Sequence, residues 1–73
     1  MIVQGEVIFQ DQIYAANTAM RGDFTYWAVR GALVRRGVHG RIADRATDRI
    51  LQLARKEKRI KYIGGRGKIW RAI

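Results

Sequence analysis

The sequence predicts a mainly α protein with a C-terminal β-hairpin, built as a single domain over residues 1–73. Three stretches repeat apolar residues at the 3.6-residue spacing of a helix. Residues 60–72 then change to β-branched and aromatic residues around a glycine-rich loop, which is typical of a hairpin. A chain of this length buries only about 60% of its unfolded surface, so its core must be small.

The first helix is predicted over about residues 8–20. Phe9, Ile13, Ala16 and Met20 follow one another at the spacing i, i+4, i+7 and i+11, which places them on one narrow apolar stripe. Residues 1–7 fit either a short strand or an irregular lead-in, and their pattern does not separate the two.

The second helix is predicted over about residues 24–36. Gly22 suits the end of the first helix, Asp23 suits the N-cap of the second, and Gly37 closes it. Its apolar residues cover two sides of the helical wheel, which favours a helix packed between neighbours. The aromatic residues on apolar stripes and strands are expected in the core: Phe9, Phe24, Trp27 and Trp70.

The third helix, over about residues 42–58, has the clearest amphipathic pattern. One half of its wheel is apolar and predicts the core face: Ile42, Ala43, Ala46, Ile50, Leu51, Leu53 and Ala54. The other half is polar and mostly basic. The hairpin that follows spans about residues 60–72, with its loop at residues 64–67.

The charge distribution points to an acidic partner. Residues 1–20 carry Glu6 and Asp11 and no Lys or Arg, a net charge of −2, whereas residues 21–73 carry fifteen basic and four acidic side chains, a net charge of +11. Eight of the basic residues lie between positions 55 and 71. A cationic helix followed by a cationic hairpin favours a polyanion as partner, and nucleic acid is the commonest one.

Composition argues against several other functions. The chain has no cysteine, no serine and a single histidine, His39, so it offers neither a metal site nor a catalytic set. We therefore expect no enzymatic activity, no cofactor and no small-molecule substrate. No apolar run reaches the roughly 18 residues that span a bilayer, and we expect a cytoplasmic protein without membrane contact.

The order of elements resembles that of winged helix-turn-helix domains, especially small ones from bacteria and their phages. The resemblance covers residues 42–73. Residues 46–62 look like a recognition helix running into the first strand of a wing, residues 64–68 look like the wing tip, and Ile69 and Trp70 would return the chain to the core. The resemblance implies a transcriptional regulator or accessory factor that binds double-stranded DNA.

In such a domain the third helix enters the major groove and the wing lies on the backbone. Arg and Gln can bind guanine and adenine edges bidentately. The base contacts implied are therefore Arg41, Arg45, Arg49 and Gln52. The DNA-backbone contacts implied are Arg30, Arg35, Arg36, Thr47, Lys56, Arg59, Lys61, Arg66 and Lys68.

Other interpretations stay open at the level of sequence. The polar face of the third helix can be an ordinary solvated face, with Arg45 and Asp48 paired along the helix. Basic residues on the hairpin also keep strand edges from pairing with other chains. The chief alternative function is a protein-interaction module that docks an acidic partner. RNA as the ligand and a homodimer formed through the N-terminal segment are further options.

Overall fold

The computed structural model describes residues 1–73 and shows three helices and two small sheets. The elements are β1 (Ile2–Val3), β2 (Glu6–Val7), α1 (Gln10–Ala19), β3 (Asp23–Phe24), α2 (Tyr26–Arg35), α3 (Gly40–Lys56), β4 (Ile60–Gly64) and β5 (Ile69–Ala72). The predicted three helices and C-terminal antiparallel hairpin are confirmed. The class is α+β rather than mainly α, because only about half of the residues are helical and five strands accompany them.

The N-terminal residues form a tight hairpin, which answers the question that their sequence pattern left open. β1 and β2 pair antiparallel, with Ile2 opposite Val7. Gln4 and Gly5 occupy the two turn positions with φ of 49° and 80°, and two successive positive φ values are the mark of the turn that matches strand twist. Val3 points inward and joins the core, so the hairpin is fastened to the domain.

Strand β3 was not predicted, and it changes the role of Asp23. β3 pairs with β5 to make a three-stranded antiparallel sheet in the order β3-β5-β4. Asp23 therefore lies in a strand, and Thr25 caps α2 instead, accepting a hydrogen bond from the Ala28 amide at 3.3 Å. A two-residue strand whose partner lies 48 positions away has no local signal by which a sequence pattern could predict it.

The core forms where α1, α2 and α3 meet the inner side of this sheet. Val29 and Leu33 of α2 are fully buried there. The predicted core face of α3 is confirmed at five buried positions, Ala43, Ala46, Ile50, Leu51 and Ala54. Ile42 is partly buried and packs against the core, whereas Leu53 is 45% exposed. α2 packs between α1 and α3, which confirms the expectation of a helix with neighbours on two sides, and its remaining surface, with Trp27 and Val34, is exposed.

Two of the four aromatic residues expected in the core lie outside it. Phe24 is buried and Trp70 packs against the core, whereas Phe9 and Trp27 are 60% and 68% exposed. Phe9 is the N-cap position of α1 rather than part of its stripe. Trp27 follows Tyr26 and lies about 100° around the helix from it, so the Tyr26 hydroxyl reaches Asp44 of α3 while the Trp27 ring stays exposed.

Thr47 is fully buried, which overturns its predicted contact with a DNA phosphate. Its position on α3 lies between Ala43, Ala46, Ile50 and Leu51, on the side that faces the core. Its hydroxyl oxygen is buried without a hydrogen-bond partner. A buried polar group that forms no hydrogen bond lowers stability, so this side chain costs the fold some free energy.

Replacing Thr47 with Val is expected to raise the free energy of unfolding by about 1 kcal/mol. Val keeps the shape of the side chain and removes the unpartnered hydroxyl, whose burial costs about 1–3 kcal/mol. The two residues have similar helix propensities. Urea unfolding followed by circular dichroism measures the change, with Thr47→Ser as the control that keeps the hydroxyl. A loss of stability in Thr47→Val would show that the hydroxyl has a partner.

Candidate nucleic-acid interface

The exposed face of α3 presents an aligned set of polar side chains. Arg41, Arg45, Gln52 and Lys56 lie at i, i+4, i+11 and i+15, within about 60° of one another on the helical wheel. All four side chains are exposed, and none forms a hydrogen bond or ion pair with another part of the protein. The face is therefore free to contact a ligand along some four turns of helix.

The start of this helix is held by His39 and by the turn that precedes it. Gly37 has a φ of 93°, a conformation that glycine adopts at little cost, and the Val38 amide donates back to the Leu33 carbonyl. His39 then caps α3, its Nδ1 accepting from the Arg41 amide at 3.3 Å. These contacts set the direction in which α3 leaves α2, and with it the position of Arg41.

One side of the α3 face is bounded by the N-terminal hairpin. Arg49 donates from Nη1 to the Ile2 carbonyl at 2.6 Å, which fastens β1 to the helix. A depression of about 460 Å³ lies between hairpin and helix, and its lining includes Gln4, Arg45 and Gln52. Of the four predicted base-contacting residues, the structure brings Arg45, Arg49 and Gln52 together here, and Arg49 already has a structural partner.

The other side of the face is bounded by a network around Asp44. Arg30 donates from Nε to Asp44 Oδ1 at 2.5 Å, and Tyr26 donates its hydroxyl to the same oxygen at 3.0 Å. These hydrogen bonds, first that of Arg30 and then that of Tyr26, hold the pKa of the Asp44 carboxyl below its usual value. Burial, followed by the contacts with Asp44, raises the pKa of Tyr26 to about 12. Arg30 thus joins α2 to α3, whereas the sequence predicts a phosphate contact for it.

The loop between β4 and β5 carries Arg66 and Lys68 at the tip of the hairpin. Both are exposed and have no partner within the protein. Gly64 and Gly65 have φ of 89° and 80°, and Lys68 adopts a φ of 52°, so the loop reverses direction through left-handed residues. The two cations stand beyond the body of the sheet, where an elongated ligand can reach them.

Two basic residues of the same hairpin are placed differently. Arg59 is paired with Glu57, with Nη2 at 3.0 Å from Oε1. Lys61 lies opposite Arg71, which in turn lies opposite Asp23, so these three side chains share the outer face of the sheet. Arg71 donates to both oxygens of Asp23, at 2.7 and 3.1 Å, and this holds the pKa of Asp23 below its usual value. Lys61 is exposed beside that pair.

The structure separates Arg35 and Arg36 from the α3 face. Both line a groove between α1 and α2, together with Tyr14 and Thr18 of α1. The Arg36 carbonyl also accepts a hydrogen bond from Gln12 at 3.0 Å. Their sequence position in α2 is compatible with a backbone contact, but the direction in which α2 packs turns them toward α1.

Sequence reasoning missed a second group of exposed side chains beside the wing. Trp27 and Tyr62, 68% and 50% exposed, line a cleft with Arg66 and Lys68. One signal was present: Phe24, Tyr26 and Trp27 stand within four residues, too many large rings for one buried side of a helix. No local pattern indicates that Trp27 lies beside Tyr62, Arg66 and Lys68, because α2 and the hairpin are far apart in the sequence.

None of the helices in the chain is long and apolar enough to cross a membrane. No group of three or more His, Cys, Asp or Glu side chains is placed to hold a metal ion. Comparison with known proteins found no match among family models, curated proteins or solved structures.

Proposed function

We propose that this protein binds double-stranded DNA as a winged helix-turn-helix domain, acting as a transcriptional regulator or accessory factor. α3 enters the major groove, and the loop between β4 and β5 acts as a wing on the sugar–phosphate backbone. The observation that supports this most is the row of unpartnered side chains on the exposed face of α3, in a protein whose β4–β5 loop also carries unpartnered basic residues. Helices of this diameter fit the major groove.

Arg41, Arg45 and Gln52 are the proposed base-reading residues. Arg binds guanine O6 and N7 bidentately, and Gln binds adenine N6 and N7. Asp48 stands among them, exposed and without an ion pair. A carboxylate is repelled by phosphates but accepts a hydrogen bond from the cytosine amino group. Its presence therefore favours an α3 face that points toward base edges rather than along the backbone.

Lys56, Arg66 and Lys68 are the proposed phosphate contacts. Lys56 follows the reading residues at the end of α3, and Arg66 and Lys68 lie at the wing tip. Phosphate contacts of this kind position a domain without reading sequence. Arg30 supports the site indirectly, because it fixes α2 against the first turns of α3. Arg49 has a related role, since it fastens the N-terminal hairpin beside the reading face.

Selection of bound duplexes from a random pool tests the proposal and supplies a preferred site. Arg45→Ala is expected to weaken binding to that site by about 1–3 kcal/mol while changing the affinity for unrelated duplexes much less. Lys68→Ala, the matched control, is expected to weaken both kinds of duplex alike. Fluorescence anisotropy with labelled duplexes measures these affinities. Equal losses from both variants on both duplexes would refute the assignment of Arg45 as a reader.

A protein-interaction module is the second candidate, and one observation favours it. Ile2 and Val7 lie opposite each other on the N-terminal hairpin, both more than half exposed, and Phe9 follows them with 60% exposure. Three adjacent apolar side chains on a basic protein suit contact with another protein. A second copy of the chain, or an acidic partner that also meets the α3 face, would fit this surface.

A further inference from the structure

A cleft of about 590 Å³ separates the beginning of α2 from the wing. Its size falls within the range of about 300–1,000 Å³ that is usual for small-molecule sites. Tyr26 and Trp27 form the wall on α2, and Tyr62 and Trp70 form the wall on the sheet. The sheet wall follows from register, because Tyr62 lies opposite Trp70, which lies opposite the buried Phe24, so these rings share the inner side.

The rings on each wall are paired edge to face. The Tyr26 and Trp27 centroids are 5.2 Å apart with the planes at 89°, and those of Tyr62 and Trp70 are 5.0 Å apart at 60°. Such packing fixes the orientation of each ring through its neighbour. It leaves the outer member of each pair, Trp27 and Tyr62, half or more exposed. The rings of Trp27 and Tyr62, each oriented by its neighbour, are therefore exposed to the cleft.

The charge of the cleft is positive throughout. Arg66 and Lys68 belong to its lining, and no carboxylate does. The Arg30 guanidinium lies 5.8 Å from the centre of the Trp27 ring, but its charge is paired with Asp44, so the positive charge of the cleft comes from Arg66 and Lys68. A ligand that fits must therefore combine a flat apolar surface with negative charge.

From these observations we propose that the cleft binds an unpaired nucleotide, with its base against Trp27 or Tyr62 and its phosphate at Arg66 and Lys68. Aromatic side chains stack on bases of any identity, and a neighbouring cation takes the backbone. Bases inside a duplex are already stacked, so only an unpaired or terminal nucleotide offers its face. The inference rests on the proposed function, since α3 would hold the duplex while the cleft takes a nucleotide beside it.

The test compares a blunt duplex with the same duplex carrying a single-stranded tail. We expect the tail to increase affinity about tenfold, the effect of stacking one base, and to quench tryptophan fluorescence. Trp27→Ala is expected to remove this gain without changing the affinity for the blunt duplex. Tyr14→Ala, which removes an exposed ring of α1 outside the cleft, is the matched control and should keep the gain. Because Trp27 is largely exposed, its replacement is expected to leave the fold intact, and circular dichroism checks this.

The outcomes separate this inference from the proposed function. If the blunt duplex binds but the tail adds nothing, the cleft assignment is overturned and the proposed function stands. If the tail adds affinity to the native protein but Trp27→Ala and Tyr14→Ala reduce this gain by the same amount, the cleft assignment is overturned as well. If only single-stranded or tailed DNA binds, with quenching, the cleft assignment holds and duplex recognition by α3 is refuted. Binding of neither DNA refutes both.

Discussion

Raising the monovalent salt concentration from 50 to 200 mM is expected to weaken duplex DNA binding by about 10³-fold. Each Lys or Arg that neutralises a phosphate releases condensed counterions, so the logarithm of the binding constant falls linearly with the logarithm of salt. Six phosphate contacts give a slope of about −5. Beside the three proposed phosphate contacts, the chain has three exposed cations near the end of α3 and on β4 that form no ion pair, Arg55, Lys58 and Lys61, and together they make six. Fluorescence anisotropy over a salt series measures the slope.

Two variants test which basic residues contribute to the slope of the salt dependence. Arg66→Gln at the wing tip is expected to reduce the slope by about one. Arg35→Gln, which removes the same charge from the groove between α1 and α2, should leave the slope unchanged. A salt dependence near zero for the native protein would rule out binding driven by phosphate contacts. An equal change from both variants would show that the charge acts through the whole molecule rather than through the proposed surface.

Replacing Leu33 with Ala is expected to lower the free energy of unfolding by about 2–5 kcal/mol. Leu33 is fully buried in α2, at the centre of the core that α3 shares, so the truncation leaves a cavity. Domains of this size have about 4–11 kcal/mol of stability in total, and the variant should lose a large part of it. DNA binding would fall with it, because α2 positions α3.

Urea unfolding monitored by circular dichroism measures this loss, and the neighbouring residue supplies the control. Val34→Ala truncates a 40% exposed side chain on the same helix, and such surface changes usually stay within about 0.5 kcal/mol. Ala has a higher helix propensity than Leu or Val, so a loss in either variant does not come from propensity. A similar loss in both variants would mean that the complete burial of Leu33 does not set the stability of α2.

The helices were predictable because their signals are local. α3 spans residues 40–56 against a predicted 42–58, and its apolar half faces the core as expected except at Leu53. The glycine loop and its flanking β-branched residues also located the hairpin of β4 and β5. The spacing of apolar residues and the residue types of turns depend only on neighbouring positions, so both can be recognised without knowing how the rest of the chain folds.

The candidate site was predictable in part. Arg41, Arg45 and Gln52 lie on the exposed face of α3, as amphipathic spacing requires. Thr47 does not, because the core side of α3 is wide enough to enclose it. No pattern within α3 indicates which polar side chains are already bound, since the partners of Arg49 and Asp44 lie 47 and 14 residues away.

The helical periods, the turn residues and the concentration of positive charge in residues 21–73 can be read from the order of the amino acids, since each depends on composition or on spacing within a few residues. Which cations remain free depends on the packing of the folded chain. This packing turned Arg35 and Arg36 toward α1, bound Arg30 to Asp44, and set Trp27 across a cleft from Tyr62. The physical reason is that a side chain's partners depend on how the elements pack. That packing results from burying the whole apolar surface at once, and residues far apart in the chain contribute to it.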